Sequence, residues 1–289
     1  FQEVKPYQLI TVPLVMEKIF KSKIKPMLDK PMIKFLTKVP GVNRIIFNKI
    51  REGLINAFGG EVGEFIIGGA PVNPEIEKWF QKIRLPYTVG YGMIEATPLL
   101  AYAGSAEYVA GSCGKPVDCA TVRIDSDDPQ HIVGEIQAKG DNICLGYYKN
   151  PEASANAFTE DGFLRTGDLG LFDADGNLYI KGRSKSMILS ANGQNIYPEE
   201  VEAVVNSQPY VQESVVVDRS ARLVALVYLD QEALRKDGLD QEAIADLPER
   251  IRINSDKQLP NYSQITKVEI VDQPFEKTPK MSIKRFLYK

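Results

Sequence analysis

The apolar positions between residues 42 and 58 recur near helical spacing, and Gly59-Gly60 then ends the pattern. We therefore expect the first sixty residues to be helical. A short apolar strand is predicted at residues 64–67, where it breaks into Gly-Gly-Ala-Pro. The apolar positions that set the helical period are Val42, Ile45, Ile46, Leu54, Ile55 and Phe58.

The next segment alternates helix and strand. Asn73-Pro74 supplies a cap and a first-turn proline for a helix that carries Ile76 and Phe80. A strand predicted at residues 87–90 leads directly into Tyr-Gly-Met-Ile-Glu. This alternation predicts α/β packing around a central sheet.

From about residue 111 the pattern changes to short strands and turns. Residues 169–173 and 177–181 flank Ala-Asp-Gly, which predicts a hairpin. Residues 198–202 open a helix, and residues 241–258 have a helical pattern. Strands are predicted at residues 214–217 and 223–229. We expect an α/β region at 1–110, a β-rich subdomain at 111–183 and a small α+β domain at 184–289.

Composition is that of a globular protein, with 44% hydrophobic and 25% charged residues in 289. No apolar run approaches the roughly 18 residues of a membrane span. Cys113, Cys119 and Cys144 form no Cys-x-x-Cys pair and are odd in number, so a reducing cytoplasm fits better than a disulfide scaffold or a zinc site. The chain does not begin with Met, which suits a fragment or a processed product.

Charge is uneven along the chain. Residues 1–58 hold 11 Lys/Arg and 4 Asp/Glu, a net charge of +7, whereas the whole chain carries −3. One interpretation is a set of solvated helix faces. The other is a surface that meets anionic lipid or acidic cofactors, which would place the protein at the inner face of the membrane. No nucleic-acid partner is expected.

Three local patterns suggest chemistry and fail on inspection. Gly-Ser-Cys-Gly-Lys at 111–115 lacks the glycine and the hydroxyl residue of a phosphate-binding loop, since Val109 and Pro116 stand there. The acidic segment at 173–177 lacks the Gly and Glu of a calcium loop. The single histidine, His131, lies in a predicted turn, and we interpret it as a solvated loop residue.

Three other segments have the chemistry of a nucleotide site. The break at residues 68–71 leaves bare backbone against which a flat ring could lie. Tyr91-Gly92 offers an aromatic face, and Glu95 offers a carboxylate for a hard cation. Asp168 is an acceptor-only side chain in a glycine-flanked turn, suited to a ribose diol. Each of these segments alone is equally compatible with an ordinary turn.

Their order resembles a known family. The set comprises Gly-Gly-Ala-Pro at 68–71, Tyr-Gly-x-x-Glu at 91–95, Thr-Gly-Asp at 166–168, Gly-Arg-Ser-Lys-Ser-Met-Ile at 182–188 and Gly-Gln-Asn-Ile-Tyr-Pro-Glu-Glu-Val-Glu at 193–202. This set is similar to the adenylate-forming superfamily, which includes acyl-CoA synthetases, firefly luciferase and peptide-synthetase adenylation domains. With Leu-Gly-Tyr-Tyr-Lys-Asn-Pro-Glu at 145–152, the chain most resembles long-chain fatty-acid–CoA ligases.

The resemblance implies an α/β adenylate-forming fold, namely the second half of a large N-terminal domain with a β-rich subdomain, followed by a small α+β C-terminal domain. It also implies site residues. Those for the nucleotide and its magnesium are Gly69, Ala70 and Pro71 around adenine, Tyr91 with Gly92 against its ring, Glu95 on the metal, and Asp168 with Arg183 at the ribose. Lys185 would be the hinge of the C-terminal domain, and Gly193 would border the pantetheine channel.

The chain departs from the family in three places. The phosphate loop that normally precedes these motifs has no match, and Ile94 stands where a threonine is usual. The catalytic lysine normally lies three residues before an arginine, but that position relative to Arg285 is Ser282. Lys280 and Lys284 flank it, and both are candidates.

The implied reaction uses ATP, Mg²⁺ and coenzyme A. A fatty acid would become acyl-AMP with release of pyrophosphate, and the CoA thiol would then displace AMP. We expect this chain alone to be inactive, because the phosphate loop is missing from it. Two alternatives stay open: an acyl-AMP ligase that loads a carrier protein, and a non-catalytic nucleotide-binding fragment. The sequence does not indicate the length of the acyl chain.

Overall fold

A computed structural model describes residues 1–28, 30–39, 41–190, 192–278 and 283–288. The chain divides into two compact units. The first unit contains residues 1–166 and 170–180, and the second contains residues 167–169 and 181–289.

The first unit is built on a mixed five-stranded sheet in the order β1-β2-β3-β4-β5. Strands β1, β2 and β3 pair in parallel, and β3, β4 and β5 pair antiparallel. The bounds are β1 Gln8–Thr11, β2 Glu64–Gly68, β3 Tyr87–Gly92, β4 Leu99–Tyr102 and β5 Lys115–Pro116.

Strand β1 corrects the expectation that the first sixty residues are helical. Four residues are too few to show a period, and the strand forms because Leu9 pairs with Phe65 of β2, which is far away in sequence. Leu9 points into the core, whereas Ile10 is 81% exposed.

The first unit also contains helices. They are α1 Pro13–Ile19, a π-helical turn Phe20–Ile24, α2 Lys25–Leu28, α3 Pro31–Leu36, α4 Val42–Ala57, α5 Pro74–Lys82 and α6 Pro151–Ala157. The predictions of α4 and α5 are confirmed. The Asn73 side chain accepts the Glu75 backbone N–H at 2.8 Å, which caps α5 as the sequence indicates.

A four-stranded sheet follows in the order β6-β7-β8-β9. Its strands are β6 Ala120–Asp125, β7 Gly134–Gly140, β8 Leu164–Phe172 and β9 Leu178–Arg183. The predicted hairpin is β8–β9. In its turn the Asp173 carboxylate accepts backbone N–H groups of Asp175 and Asn177, at 3.0 and 2.8 Å, so these acidic residues close a turn.

The second unit packs helices on a three-stranded sheet in the order β12-β13-β14. Its core includes Val201, Val205, Val227 and Ile251. The elements are β10 Ile188–Leu189, β11 Asn195–Ile196, α7 Pro198–Asn206, β12 Val211–Asp218, β13 Leu223–Leu229, α8 Gln231–Asp237, α9 Gln241–Ala245, α10 Leu247–Asp256 and β14 Lys267–Ile270.

The single helix expected at residues 241–258 is instead two helices, α9 and α10. Pro248 lies in the first turn of α10. Because proline has no backbone N–H, it cannot continue the hydrogen-bonded ladder of the preceding helix, and it is tolerated where a new helix begins.

Candidate nucleotide site

The turn after β2 lies beyond the carboxyl ends of the parallel strands, where open α/β sheets bind ligands. Gly69 has a φ of +87°, a conformation that L side chains rarely adopt. Gly69, Ala70 and Pro71 are all exposed. This turn therefore offers accessible backbone at the sheet edge, as a site for a flat base requires.

Tyr91 and Gly92 end strand β3. Tyr91 is 8% exposed and belongs to the hydrophobic core of the first unit. A Cβ atom at Gly92 would lie 1.7 Å from the carbonyl oxygen of Pro98. The close approach of the backbone just before β4 thus accounts for the glycine without a ligand.

Glu95 lies in a single 3-10 turn, Ile94–Ala96, immediately after β3. The Tyr147 hydroxyl donates to Glu95 Oε1 at 2.9 Å. This hydrogen bond is the main reason that the pKa of Tyr147 lies above its usual value, with desolvation adding to it. Ile94 is 70% exposed, so an apolar side chain meets solvent beside the carboxylate.

Asp168 and Arg183 face each other on β8 and β9. Arg183 Nε lies 3.1 Å from Asp168 Oδ1, and the two side chains are 72% and 11% exposed respectively. The Ser184 hydroxyl donates to the Gly167 carbonyl oxygen at 3.1 Å, which fastens the residues beside this pair. A carboxylate this buried costs free energy unless charged or hydrogen-bonding groups meet it, and Arg183 is one such group.

Lys185 is exposed in the 3-10 turn Ser184–Ser186 that follows β9. Gly193 lies in the turn between β10 and β11, with a φ of +75° and open space where a Cβ would be. Its N–H donates to the Ser190 carbonyl oxygen at 2.9 Å. The left-handed backbone by itself favours glycine at this position.

Of the two candidate lysines, Lys284 is among the described residues. Lys284 Nζ forms an ion pair with Glu276 Oε2 at 3.1 Å. Lys280 and Ser282 lie outside the described residues. The neighbouring Arg285 contacts Glu202 of α7, an interaction that sequence reasoning missed because the residues are 83 positions apart.

The histidine, the three cysteines and the acidic side chains are the other groups that could bind a metal. His131 is 77% exposed and contacts Asp128, so it is a loop residue. Cys113, Cys119 and Cys144, all of them described residues, form no disulfide. Among the described residues, no three His, Cys, Asp or Glu side chains converge as a metal site. A cation on Glu95 would take its other ligands from phosphate and water, which suits Mg²⁺.

In the part of the chain that the structure describes, none of the helices has the length and apolar character needed to cross a bilayer.

The chain belongs to the AMP-binding enzyme family. The family model for AMP-binding enzymes matches residues 1–148, and the model for the AMP-binding enzyme C-terminal domain matches residues 185–288. The adenylate-forming fold that the sequence motifs predict is confirmed by solved structures. O-succinylbenzoate coenzyme A synthetase from Bacillus subtilis, in complex with AMP, aligns with a TM-score of 0.72 at 22% identity over 99% of this chain. ATP-bound MatB from Rhodopseudomonas palustris aligns with a TM-score of 0.70 at 24% identity over 98% of this chain.

Curated relatives of this chain include CoA ligases. The long-chain-fatty-acid–CoA ligase FadD15 of Mycobacterium bovis is 34% identical over 66% of this chain. Long-chain-fatty-acid–CoA ligase 1 of Saccharomyces cerevisiae is 29% identical over 73%, and the 2-succinylbenzoate–CoA ligase of Bacillus cytotoxicus is 35% identical over 68%. The chain spans 30%, 33% and 42% of these three relatives, and 51% and 50% of the two solved structures.

Proposed function

We propose that the protein carrying this chain is an ATP-dependent acid–thiol ligase that activates a fatty acid and transfers it to coenzyme A. The observation that carries the proposal is Asp168, a largely buried carboxylate held by Arg183 on adjacent strands. A carboxylate can accept both hydroxyls of a ribose, and Arg183 Nε lies 3.1 Å from this carboxylate.

In this proposal Gly69, Ala70 and Pro71 border the adenine, and Tyr91 with Gly92 lies against its ring. Asp168 accepts the two ribose hydroxyls, and Arg183 adds a positive charge near the α-phosphate. Glu95 holds Mg²⁺, which when bound would neutralise phosphate charge during transfer.

The first half-reaction joins a carboxylate oxygen of the fatty acid to the α-phosphorus of ATP, and the bond to pyrophosphate breaks. In the second, the CoA sulfur bonds to the acyl carbon, the thiol proton leaves, and AMP departs with the electron pair. Lys185 is the proposed hinge about which the C-terminal domain rotates between the two steps. Gly193 is proposed to border the channel for the pantetheine arm of CoA. Lys284 and Lys280 are the candidates for the catalytic lysine, whose positive charge would stabilise the negative charge that develops in the transition state.

The experiment is fatty-acid-dependent exchange of pyrophosphate into ATP, followed by thioester formation with CoA or with a phosphopantetheinylated carrier protein. For the whole protein we expect both exchange and acyl-CoA, and thioester on the carrier alone would instead favour a carrier-loading ligase. For the purified 289-residue chain we expect no exchange, and weak, comparable affinities for AMP and ATP. Exchange by the chain alone would contradict the proposed lack of a phosphate-binding loop.

We also propose that the protein is located in the reducing cytoplasm. There it would contact an anionic membrane. Residues 17–38 contain seven lysines and two acidic residues. On α3, Met32 and Phe35 are 70% and 69% exposed. Basic residues near an anionic bilayer contribute about 1 kcal/mol each, and apolar side chains among them add burial.

Vesicle sedimentation tests the membrane contact. The chain should bind phosphatidylserine vesicles, lose binding in high salt and ignore phosphatidylcholine vesicles. Replacing both Lys30 and Lys34 with Glu should abolish binding, whereas Lys236→Glu in the second unit should not. Equal binding to both lipids, or an unchanged double variant, would contradict the contact.

A further inference from the structure

Residues 142–147 are fastened to the turn that carries Glu95. The Asn142 side-chain amide donates to the carbonyl oxygens of Ala96 and Leu99, at 2.9 Å each. In return, the Thr97 hydroxyl donates to the Asn142 carbonyl oxygen at 2.7 Å. Three hydrogen bonds thus join the two segments around one asparagine.

Two further hydrogen bonds reach Glu95 itself. The Cys144 backbone N–H donates to the Glu95 carbonyl oxygen at 2.8 Å, and the Tyr147 hydroxyl donates to Glu95 Oε1 at 2.9 Å. The backbone and the side chain of Glu95 are therefore both positioned by residues about fifty positions further along the chain.

Tyr147 is held in place from its other side. Its backbone N–H donates to the Ser154 hydroxyl at 2.8 Å, and that hydroxyl donates to the Asn150 carbonyl oxygen at 2.8 Å. Ser154 belongs to α6, so the tyrosine is tied to a helix. A donor fixed in this way restricts the rotamers of the carboxylate that accepts from it.

We propose that Tyr147 is a positioning residue for Glu95, which it orients so that Oε2 is presented to a divalent cation bound with the nucleotide. The inference rests on the metal role proposed for Glu95. Tyr147 binds one carboxylate oxygen, and the other is left for the cation. Monodentate carboxylate binding is what Mg²⁺ uses when most of its ligands are water and phosphate.

If Tyr147 had a purely structural role, removal of its hydroxyl would lower the unfolding temperature. Tyr147 is 41% exposed, so loss of its hydroxyl should hardly affect the core. The hydroxyl acts on the carboxylate, and its removal should therefore weaken metal binding rather than stability.

The test uses the whole protein that carries this chain, with Mn²⁺ as a paramagnetic probe of metal binding in the presence of ATP and without turnover. Tyr147→Phe should weaken Mn²⁺ binding by about tenfold, the usual cost of losing a hydrogen bond to a metal-ligating carboxylate. The affinity for ATP without metal should stay unchanged. Tyr148→Phe is the matched control, because this neighbouring tyrosine is 88% exposed.

Three results separate the possibilities. Unchanged Mn²⁺ binding in Tyr147→Phe, with weakened binding in Glu95→Gln, would overturn the positioning role and keep the metal assignment. Unchanged binding in both variants would overturn both. Thermal unfolding followed by Trp79 fluorescence, which reports on the same unit, should not change in Tyr147→Phe. A lower unfolding temperature in Tyr147→Phe together with the weaker Mn²⁺ binding would favour the structural role instead.

Discussion

Glu202 of α7 is a buried carboxyl whose replacement by glutamine should stabilise the second unit at alkaline pH. The residue is 8% exposed. Its Oε1 accepts the Val216 backbone N–H at 2.6 Å, and its Oε2 accepts from Arg285, which also lies 3.5 Å from Glu199. Burial raises the pKa of Glu202 to about 7, although Arg285 and the Val216 N–H oppose the rise.

The sign of the pH dependence follows from this direction. The pKa of Glu202 is raised above the 4.5 of an unperturbed glutamate, so its contribution to stability is fully present below 4.5 and is lost as pH rises through about 7. The difference in proton affinity converts to at most about 3 kcal/mol. Glu202→Gln imitates the neutral carboxyl at every pH. It should therefore match the wild type near pH 4.5 and exceed it by up to that amount at pH 8, since a buried ion pair is often no better than its neutral replacement.

Hydrogen exchange measured by mass spectrometry on peptides of β12 and β13 tests this prediction, with wild type and variant compared at the same pH. Slower exchange in Glu202→Gln at pH 8, and no difference at pH 4.5, is expected. Glu200→Gln, an exposed residue on the same helix, should show no such pattern. Faster exchange of Glu202→Gln at pH 8 would show that the Arg285 ion pair outweighs burial and would refute the reasoning.

Three other predictions concern the candidate site. Asp168→Ala in the whole protein should weaken AMP binding by at least about tenfold in calorimetry, because charge-assisted hydrogen bonds to the ribose are lost, and unchanged affinity would contradict the ribose role. Lys185→Pro fixes the backbone near a φ of about −65° and should impair thioester formation more than pyrophosphate exchange, whereas equal loss of both would contradict the hinge. Gly92→Ala should lower the thermal stability of the first unit, measured by Trp79 fluorescence, because its Cβ would overlap the Pro98 carbonyl oxygen. An unchanged unfolding temperature would show that the backbone is not the reason for this glycine.

Local patterns predicted several of the helices and strands. Helix α4 was found because its apolar period spans sixteen residues, and α5 because Asn73-Pro74 marks its start. Strand β1 was missed because four residues show no period. Its formation depends on pairing with β2, about fifty-six positions later, which a local pattern does not contain.

The motifs located individual side chains of the candidate site but not the contacts among them. Tyr147 belongs to the motif at residues 145–152, yet its hydrogen bond to Glu95 joins residues 52 positions apart. Gly92 was assigned to a ligand, and the approach of the Pro98 carbonyl gives it a backbone cause.

Strand β1 has a practical consequence for anyone who purifies this polypeptide. It lies at one end of the strand order and presents Ile10, 81% exposed, beside a row of backbone groups. Edges of this kind pair with other chains and seed aggregation, and natural proteins block them with charged residues. Ile10→Lys should accordingly raise the concentration at which the chain stays monodisperse, while the buried Leu9 continues to anchor the strand.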